Sequence, residues 1–181
     1  MPPLRSDAAR SRARILEVAR KHDTHSLRLN DVAREANVGV GTVYRHFPTV
    51  GSLVEALSAD TITTMLEISR NAAAQSDAGE AFSFYLRSAL ELQLEDDGLQ
   101  TVLLAREDEA DEVRAAKHEI FGTFASLLGK AQEVGAVRAD LTVDQISHLV
   151  CGIEHAVRLG SAEDRGPLFD ILLRGLYPTS A

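Results

Sequence analysis

The strongest constraint on the fold is a long stretch of chain without proline. No proline occurs between Thr49 and Gly166, and apolar residues in this stretch recur at spacings of three and four rather than two. Proline interrupts helices, whereas side chains three or four residues apart share one helical face. The sequence therefore predicts an all-α fold with about nine helices.

The expected helices follow from this periodicity and from local start and stop signals. Asn30 is expected to cap a short helix, Asn37 and Gly39 to form a tight turn after it, and Thr142 with Gln145 to form a capping box. Asp96 to Gly98 and Gly135 are expected breaks. The predicted segments are about 7–21, 30–36, 40–47, a long helix from 51 that frays over 71–79, one carrying 82–89, then 99–104, 108–133, 142–159 and 167–176.

Charge is unevenly distributed along the chain. The net charge is -8, yet residues 1–50 hold 9 Lys and Arg against 5 Asp and Glu, a net of +4, while residues 51–181 hold 10 against 22, a net of -12. A basic end can approach phosphates while the acidic remainder stays in solvent. Small local excesses of charge are also common on protein surfaces, so charge alone does not identify a partner.

The basic end contains a segment with the pattern of a helix-turn-helix, at about residues 28–47. In LNDVAREANVGVGTVYRHF, Val32, Ala33 and Ala36 can pack inward from one short helix, and Val43 and Phe47 from the next. The second helix then turns a valine, hydroxyls, a guanidinium and an imidazole outward. These groups are suited to reading base edges and binding phosphates.

The longer stretch DVAREANVGVGTVYRHFPTVGSLVEAL resembles the DNA-binding region of TetR-family transcriptional regulators. The resemblance covers about residues 10–57 and implies a DNA-binding domain over 1–50 and a helical ligand-binding and dimerisation domain over 51–181. It also implies that the helix from Val40 to Phe47 enters the major groove. The implied DNA-contacting positions are Arg28, Asn30, Val40, Gly41, Thr42, Tyr44, Arg45 and His46.

Several positions depart from the common family pattern. Asn37 stands where glycine is frequent, Gly39 where serine or threonine is, and Val50 where a basic residue is. Val50 removes an expected phosphate contact, and we expect arginines near the start of the chain to take more of that role, namely Arg5, Arg10, Arg12 and Arg14. Val40, where many relatives carry a polar residue, suggests contact with a thymine methyl group.

The resemblance also implies an effector and a partner subunit. A homodimer would form through the last two helices and place two reading helices on a near-palindromic double-stranded operator. An unknown small molecule would bind within the body. Aromatic residues there either fill a core, which is their commoner fate, or line a cavity. The candidate ligand-binding residues are Thr64, Met65, Phe84, Tyr85, Gln93, Arg106, His118, Phe121, Phe124 and His155.

Other function classes are less favoured by the sequence. His148, Cys151 and His155 share one helical face and suggest a metal site, but a helix face at a dimer interface explains them better, and we expect no metal or cofactor. The sequence contains no phosphate-binding glycine loop, nucleophile elbow, metalloprotease helix motif or dinucleotide fingerprint. The start MPPLRSDAARSRAR lacks the apolar middle region of a secretory signal, and no run approaches about 20 apolar residues, so we expect a cytoplasmic protein that does not bind membranes.

The sequence thus predicts a repressor that a small-molecule ligand releases from its operator. Two alternatives remain open. One is a small-molecule-binding or protein-interaction module whose head no longer reads DNA, suggested by Val40 and Val50. The other is a helical enzyme.

Overall fold

The computed structural model describes residues 4–178, with side chains for residues 7–24, 26–161 and 163–178. Within this range the chain forms ten α-helices, two 3-10 turns and no strand, which confirms the predicted all-α class. The helices are α1 Leu4–Ala19, α2 Leu29–Glu35, α3 Val40–His46, α4 Val50–Leu57, α5 Ala59–Ala73, α6 Ala78–Glu95, α7 Asp97–Leu104, α8 Asp111–Glu133, α9 Val143–Leu159 and α10 Arg165–Leu176.

The chain divides into two compact units that are discontinuous in sequence. Unit 1 contains residues up to 60 together with 97–114, and unit 2 contains 61–96 and 115–181. In unit 1, α1 packs on α2, α3 and α4, while α7 packs on α4. The core of unit 1 buries Ile15, Val32, Val43, Phe47 and Leu53. Residues 97–114 therefore fold with the N-terminal helices rather than with the segments that flank them.

Unit 2 is built around an aromatic and aliphatic core. The ring centroid of Phe124 lies 6.1 Å from that of Phe82 and 5.1 Å from that of Tyr85. Burial raises the pKa of the Tyr85 phenol well above its ordinary value, although a hydrogen bond with Ser69 acts in the opposite direction. Phe82 and Tyr85 lie on α6, which packs on α9, and α9 in turn packs on α10.

Two local signals predicted from sequence are confirmed. The Thr142 hydroxyl accepts a hydrogen bond from the Gln145 backbone N–H, and the Gln145 side chain accepts one from the Thr142 N–H, which completes the capping box of α9. Asn37 has a φ of 51°, the left-handed backbone expected between α2 and α3. Both signals act within a few residues, which explains why the sequence alone reveals them.

Two other expectations were wrong. Asn30 does not cap α2, because the helix begins at Leu29 and the extended residue before it is Arg28, whose side chain forms no cap hydrogen bond. The single long helix expected from Gly51 is two helices, α4 and α5, separated at Ser58. Apolar periodicity continues across Ser58, so the pattern does not reveal the interruption.

Among the residues that the structure describes, no helix is long and apolar enough to span a membrane.

Candidate nucleic-acid interface

The turn between α2 and α3 sets the orientation of the second helix. The Val38 backbone N–H donates to the Ala33 carbonyl oxygen over 3.0 Å, while Asn37 reverses the chain direction through its positive φ. Asparagine tolerates this conformation better than most residues with a Cβ. Gly39 then adopts an extended conformation as the N-cap of α3 and provides no side-chain cap.

The α3 helix has one buried and one exposed face. Val43 is completely buried and Phe47 follows it into the core, whereas Val40 is 47% and Tyr44 45% exposed. Gly41 and Arg45 are also exposed, and Thr42 and His46 are half-buried. The exposed face of α3 therefore presents hydroxyls, a cation and methyl groups to solvent. These groups can hydrogen-bond with base edges or contact the thymine methyl group in a DNA major groove.

Arg45 is held in a defined position on this exposed face. Its Nε donates to the Gly41 carbonyl oxygen over 3.2 Å, and its Nη2 donates to Thr42 Oγ1 over 3.0 Å. A guanidinium carries five N–H donors, so three remain for an acceptor outside the helix. The side chain therefore keeps the bidentate capacity that guanine edges and phosphates require.

A cleft of about 550 Å³ lies beside the start of α2, the end of α3 and the start of α4. It brings together three of the predicted DNA-contacting residues, Arg28, Asn30 and Tyr44. Thr49 and Val50 complete its wall on the side of α4. Guanidinium, amide and phenol groups in a concave surface can bind phosphate oxygens, and the carboxylate that also lines the cleft, Asp31, is paired with Arg34 over 2.8 Å.

The start of α4 has polar contacts that the sequence did not predict. The Thr49 hydroxyl caps α4 by accepting from the Ser52 backbone N–H over 3.0 Å, and it donates to Glu109 Oε1 over 2.8 Å. The buried carboxylate of Glu55 accepts hydrogen bonds from the backbone N–H groups of Glu109 and Ala110 over 2.8 and 3.0 Å. The sequence signal for these contacts was Glu55, a glutamate within the apolar sequence of α4, but it did not indicate which residues it would bind.

The arginines of α1 that the sequence associates with phosphate binding have different surroundings. Arg12 lies over the Phe47 ring with its Cζ 5.3 Å from the centroid, while Arg10 pairs with Asp7 over 2.7 Å. Arg14 is exposed. The Arg5 side chain lies outside the described residues. Arg12 is therefore anchored beside α3, whereas Arg10 is partly neutralised by its neighbour.

The predicted ligand-binding residues fall into two groups. Met65, Tyr85, Gln93 and Phe124 are buried, and Phe121 is half-buried. The remaining five side chains are exposed, namely Thr64, Phe84, Arg106, His118 and His155. Tyr85 and Phe124 are in ring contact within unit 2, whereas Arg106 belongs to unit 1. The ligand-binding assignment stays a prediction.

The suggested metal-binding face is mostly open to solvent. His148 and His155 are exposed and Cys151 is half-buried on α9. Among the described residues, no three His, Cys, Asp or Glu side chains are grouped so that they could hold a metal ion.

Two sequence families match the chain. Residues 13–57 match "Bacterial regulatory proteins, tetR family", and residues 77–178 match "Transcriptional regulator SbtR-like, C-terminal domain". The second match alone spans more than half of the chain. No curated protein sequence is significantly similar.

Several solved structures are similar to this chain over nearly its whole length. A TetR transcriptional regulator from Streptomyces coelicolor is 26% identical, with a TM-score of 0.53, and the match covers 93% of this chain and 99% of that one. AmtR from Mycobacterium smegmatis is 18% identical, with a TM-score of 0.65, over 94% and 86% of the two chains. A TetR regulatory protein from Mycobacterium vanbaalenii is 31% identical over 97% and 100%, with a TM-score of 0.45.

Proposed function

The chain belongs to the TetR family of transcriptional regulators, and on this premise we propose that it is an operator-binding repressor that a small-molecule ligand releases from DNA. The observation that carries the proposal is the two-sided α3 helix, which buries Val43 and exposes Val40, Tyr44 and Arg45. In a helix-turn-helix, the exposed face of the second helix contacts the major groove.

We assign the DNA contacts by chemistry. Arg45 binds a guanine edge or a phosphate through its three unused donors, and Val40 contacts a thymine methyl group. Gly41 permits close approach of the helix, while Thr42 holds Arg45 and contacts the same region. The remaining contacts go to phosphates, from Tyr44 and His46 on α3 and from Arg28 and Asn30 at the cleft.

The homodimer in this proposal forms through α9 and α10. Leu159 is 76% and Ile171 64% exposed, and Leu149 is another exposed apolar residue on α9. A Cβ built on Gly152 would meet no atom within 4 Å, so a neighbouring helix has room to approach there. Exposed apolar side chains gathered on two helices are typical of a protein interface, and a two-fold dimer covers them on both copies.

Residues 1–50 bind DNA in this proposal, and residues 51–181 bind the effector and form the dimer. The effector is an unidentified small molecule whose site includes the buried group Met65, Tyr85, Gln93 and Phe124. Binding in the body releases the heads from the operator. The protein acts in the cytoplasm, where its operator lies.

A second candidate function is a ligand-binding or protein-interaction module without DNA-reading activity. The exposed valines Val40 and Val50 favour it, because both occupy positions at which a polar or basic residue would bind DNA more strongly. This candidate predicts the same dimer and the same effector binding, but no operator.

Selection of bound fragments from the source genome separates these functions. Purified protein is incubated with genomic fragments at about 50 and 200 mM salt, and retained DNA is sequenced. The repressor proposal predicts saturable, sequence-specific retention that weakens with salt. Folded, dimeric protein that retains no specific fragment would contradict it and support the second function.

A further inference from the structure

Thr49 links the DNA-facing cleft to a carboxylate from a distant part of the chain. Thr49 lines the cleft together with Arg28, Asn30 and Tyr44. Its hydroxyl also donates to Glu109 Oε1 over 2.8 Å. Both residues belong to unit 1, although 60 positions separate them in sequence.

The Thr49 hydroxyl has no second proton to offer. A threonine hydroxyl donates one hydrogen bond and accepts two. Here the oxygen accepts from the Ser52 N–H over 3.0 Å, and the single proton goes to Glu109. A DNA phosphate at this side of the cleft would therefore have to displace Glu109 to gain the Thr49 proton. It would otherwise lie near a second negative charge.

The backbone of Glu109 is held in place by a residue of α4. Its backbone N–H and that of Ala110 both donate to the buried carboxylate of Glu55, which is only 6% exposed. The Glu109 side chain lies over the first turn of α4, where a Cβ built on Gly51 would be 3.8 Å from both its Cγ and its Oε1. Glu55 thus holds the backbone of Glu109, and the Glu109 carboxylate is bound to Thr49, a residue of the cleft wall.

We infer that Glu109 lowers the affinity for DNA by occupying Thr49 and placing its carboxylate where a backbone phosphate approaches. The inference rests on the proposed DNA-binding function. Val50, the next residue along the chain, provides no cation beside Thr49, and the arginine of the cleft, Arg28, lies at the start of α2. A change that draws residues 105–110 away from α4 would remove the charge and free the Thr49 proton, so the contact lowers DNA affinity whenever it is formed.

The test is Glu109→Gln, because glutamine keeps an acceptor for Thr49 but removes the charge. Glu112→Gln is the matched control, since Glu112 is an exposed residue three positions later and loses the same charge. Full-length protein is titrated with a random-sequence DNA duplex of about three helical turns at about 50 and 200 mM salt. Thermal unfolding of both variants confirms that they fold.

We expect Glu109→Gln to bind the duplex about three- to tenfold more tightly at low salt, and Glu112→Gln to bind as the wild type does. The gain should shrink at the higher salt, since screening weakens a charge effect but not a loss of structure. Equal gains in both variants, no gain, or weaker binding by Glu109→Gln would overturn the inference alone. Absence of DNA binding by every form of the protein would overturn the proposed function and this inference with it.

Discussion

The two units of the molecule differ in what they bury and in what they expose. Unit 1 joins distant segments through polar contacts such as Glu55 with the backbone of Glu109 and Ala110, and it presents Tyr44 and Arg45 to solvent. Unit 2 packs the Phe124 ring against the Tyr85 ring in its core and exposes leucine and isoleucine on α9 and α10. Polar groups suit nucleic acid and apolar ones suit protein, so the difference supports our proposal that α3 contacts DNA and that α9 and α10 form the subunit interface.

The largest expected effect is on the apolar surface of unit 2. Ile171→Asp should weaken dimerisation by about 100-fold or more, because a carboxylate buried without a partner in an interface is strongly unfavourable. Analytical ultracentrifugation over a concentration series measures the change. Val134→Asp is the control, since Val134 is as open to solvent but lies outside α9 and α10. A dimer that survives Ile171→Asp would remove this surface from the interface.

The next effect concerns the polar contacts inside unit 1. Glu55→Ala should lower the free energy of unfolding by about 2 to 4 kcal/mol, because it leaves two backbone N–H groups without their charged acceptor. Urea titration followed by circular dichroism measures this loss. Glu112→Ala, on an exposed side chain, should change stability little. If the two variants are equally stable, polar contacts do not hold unit 1 together.

The DNA-facing surface of unit 1 is tested by Arg45→Ala. We expect operator affinity to fall about 10- to 100-fold, the cost of losing one bidentate contact, while the dimer stays intact. Lys130→Ala on α8 removes the same charge from an exposed site in unit 2 and should leave affinity unchanged. Binding by gel retardation and mass by ultracentrifugation are measured on the same samples. Dissociation of the Arg45→Ala dimer would show that this residue belongs to the subunit interface.

The smallest expected effect is on the preference of the α3 face for thymine over uracil in the operator. Val40→Ala should weaken binding a few-fold on an operator containing thymine and less on one in which uracil replaces it, since uracil lacks the methyl group that Val40 is proposed to contact. Competition titrations with the two operators give the ratio. Equal losses on both operators would reject the methyl contact.

Local patterns predicted much of this fold. The spacing of Val43 and Phe47 predicted the buried side of α3, and Thr142 with Gln145 predicted the start of α9. Both depend on residues within about one helical turn of each other. The resemblance to TetR-family regulators was likewise carried by a continuous stretch of sequence.

Contacts between distant segments could not be predicted in this way. The hydrogen bonds from Glu109 and Ala110 to Glu55 cross 54 and 55 positions, and no periodicity relates them. The separation of α4 from α5 at Ser58 interrupts no apolar pattern, so it too was missed. Asn30 was misassigned as a cap because Arg28, an unusual capping residue, takes the extended conformation before α2.

In the proposed complex, two copies of this chain place two α3 helices on one near-palindromic operator. Hydroxyl-radical footprinting of the strongest genomic fragment tests it most directly. We expect two symmetric protected half-sites whose centres lie about 34 to 36 Å apart, or a multiple of that distance, on one face of the duplex. A single protected half-site, or protection without two-fold symmetry, would contradict it.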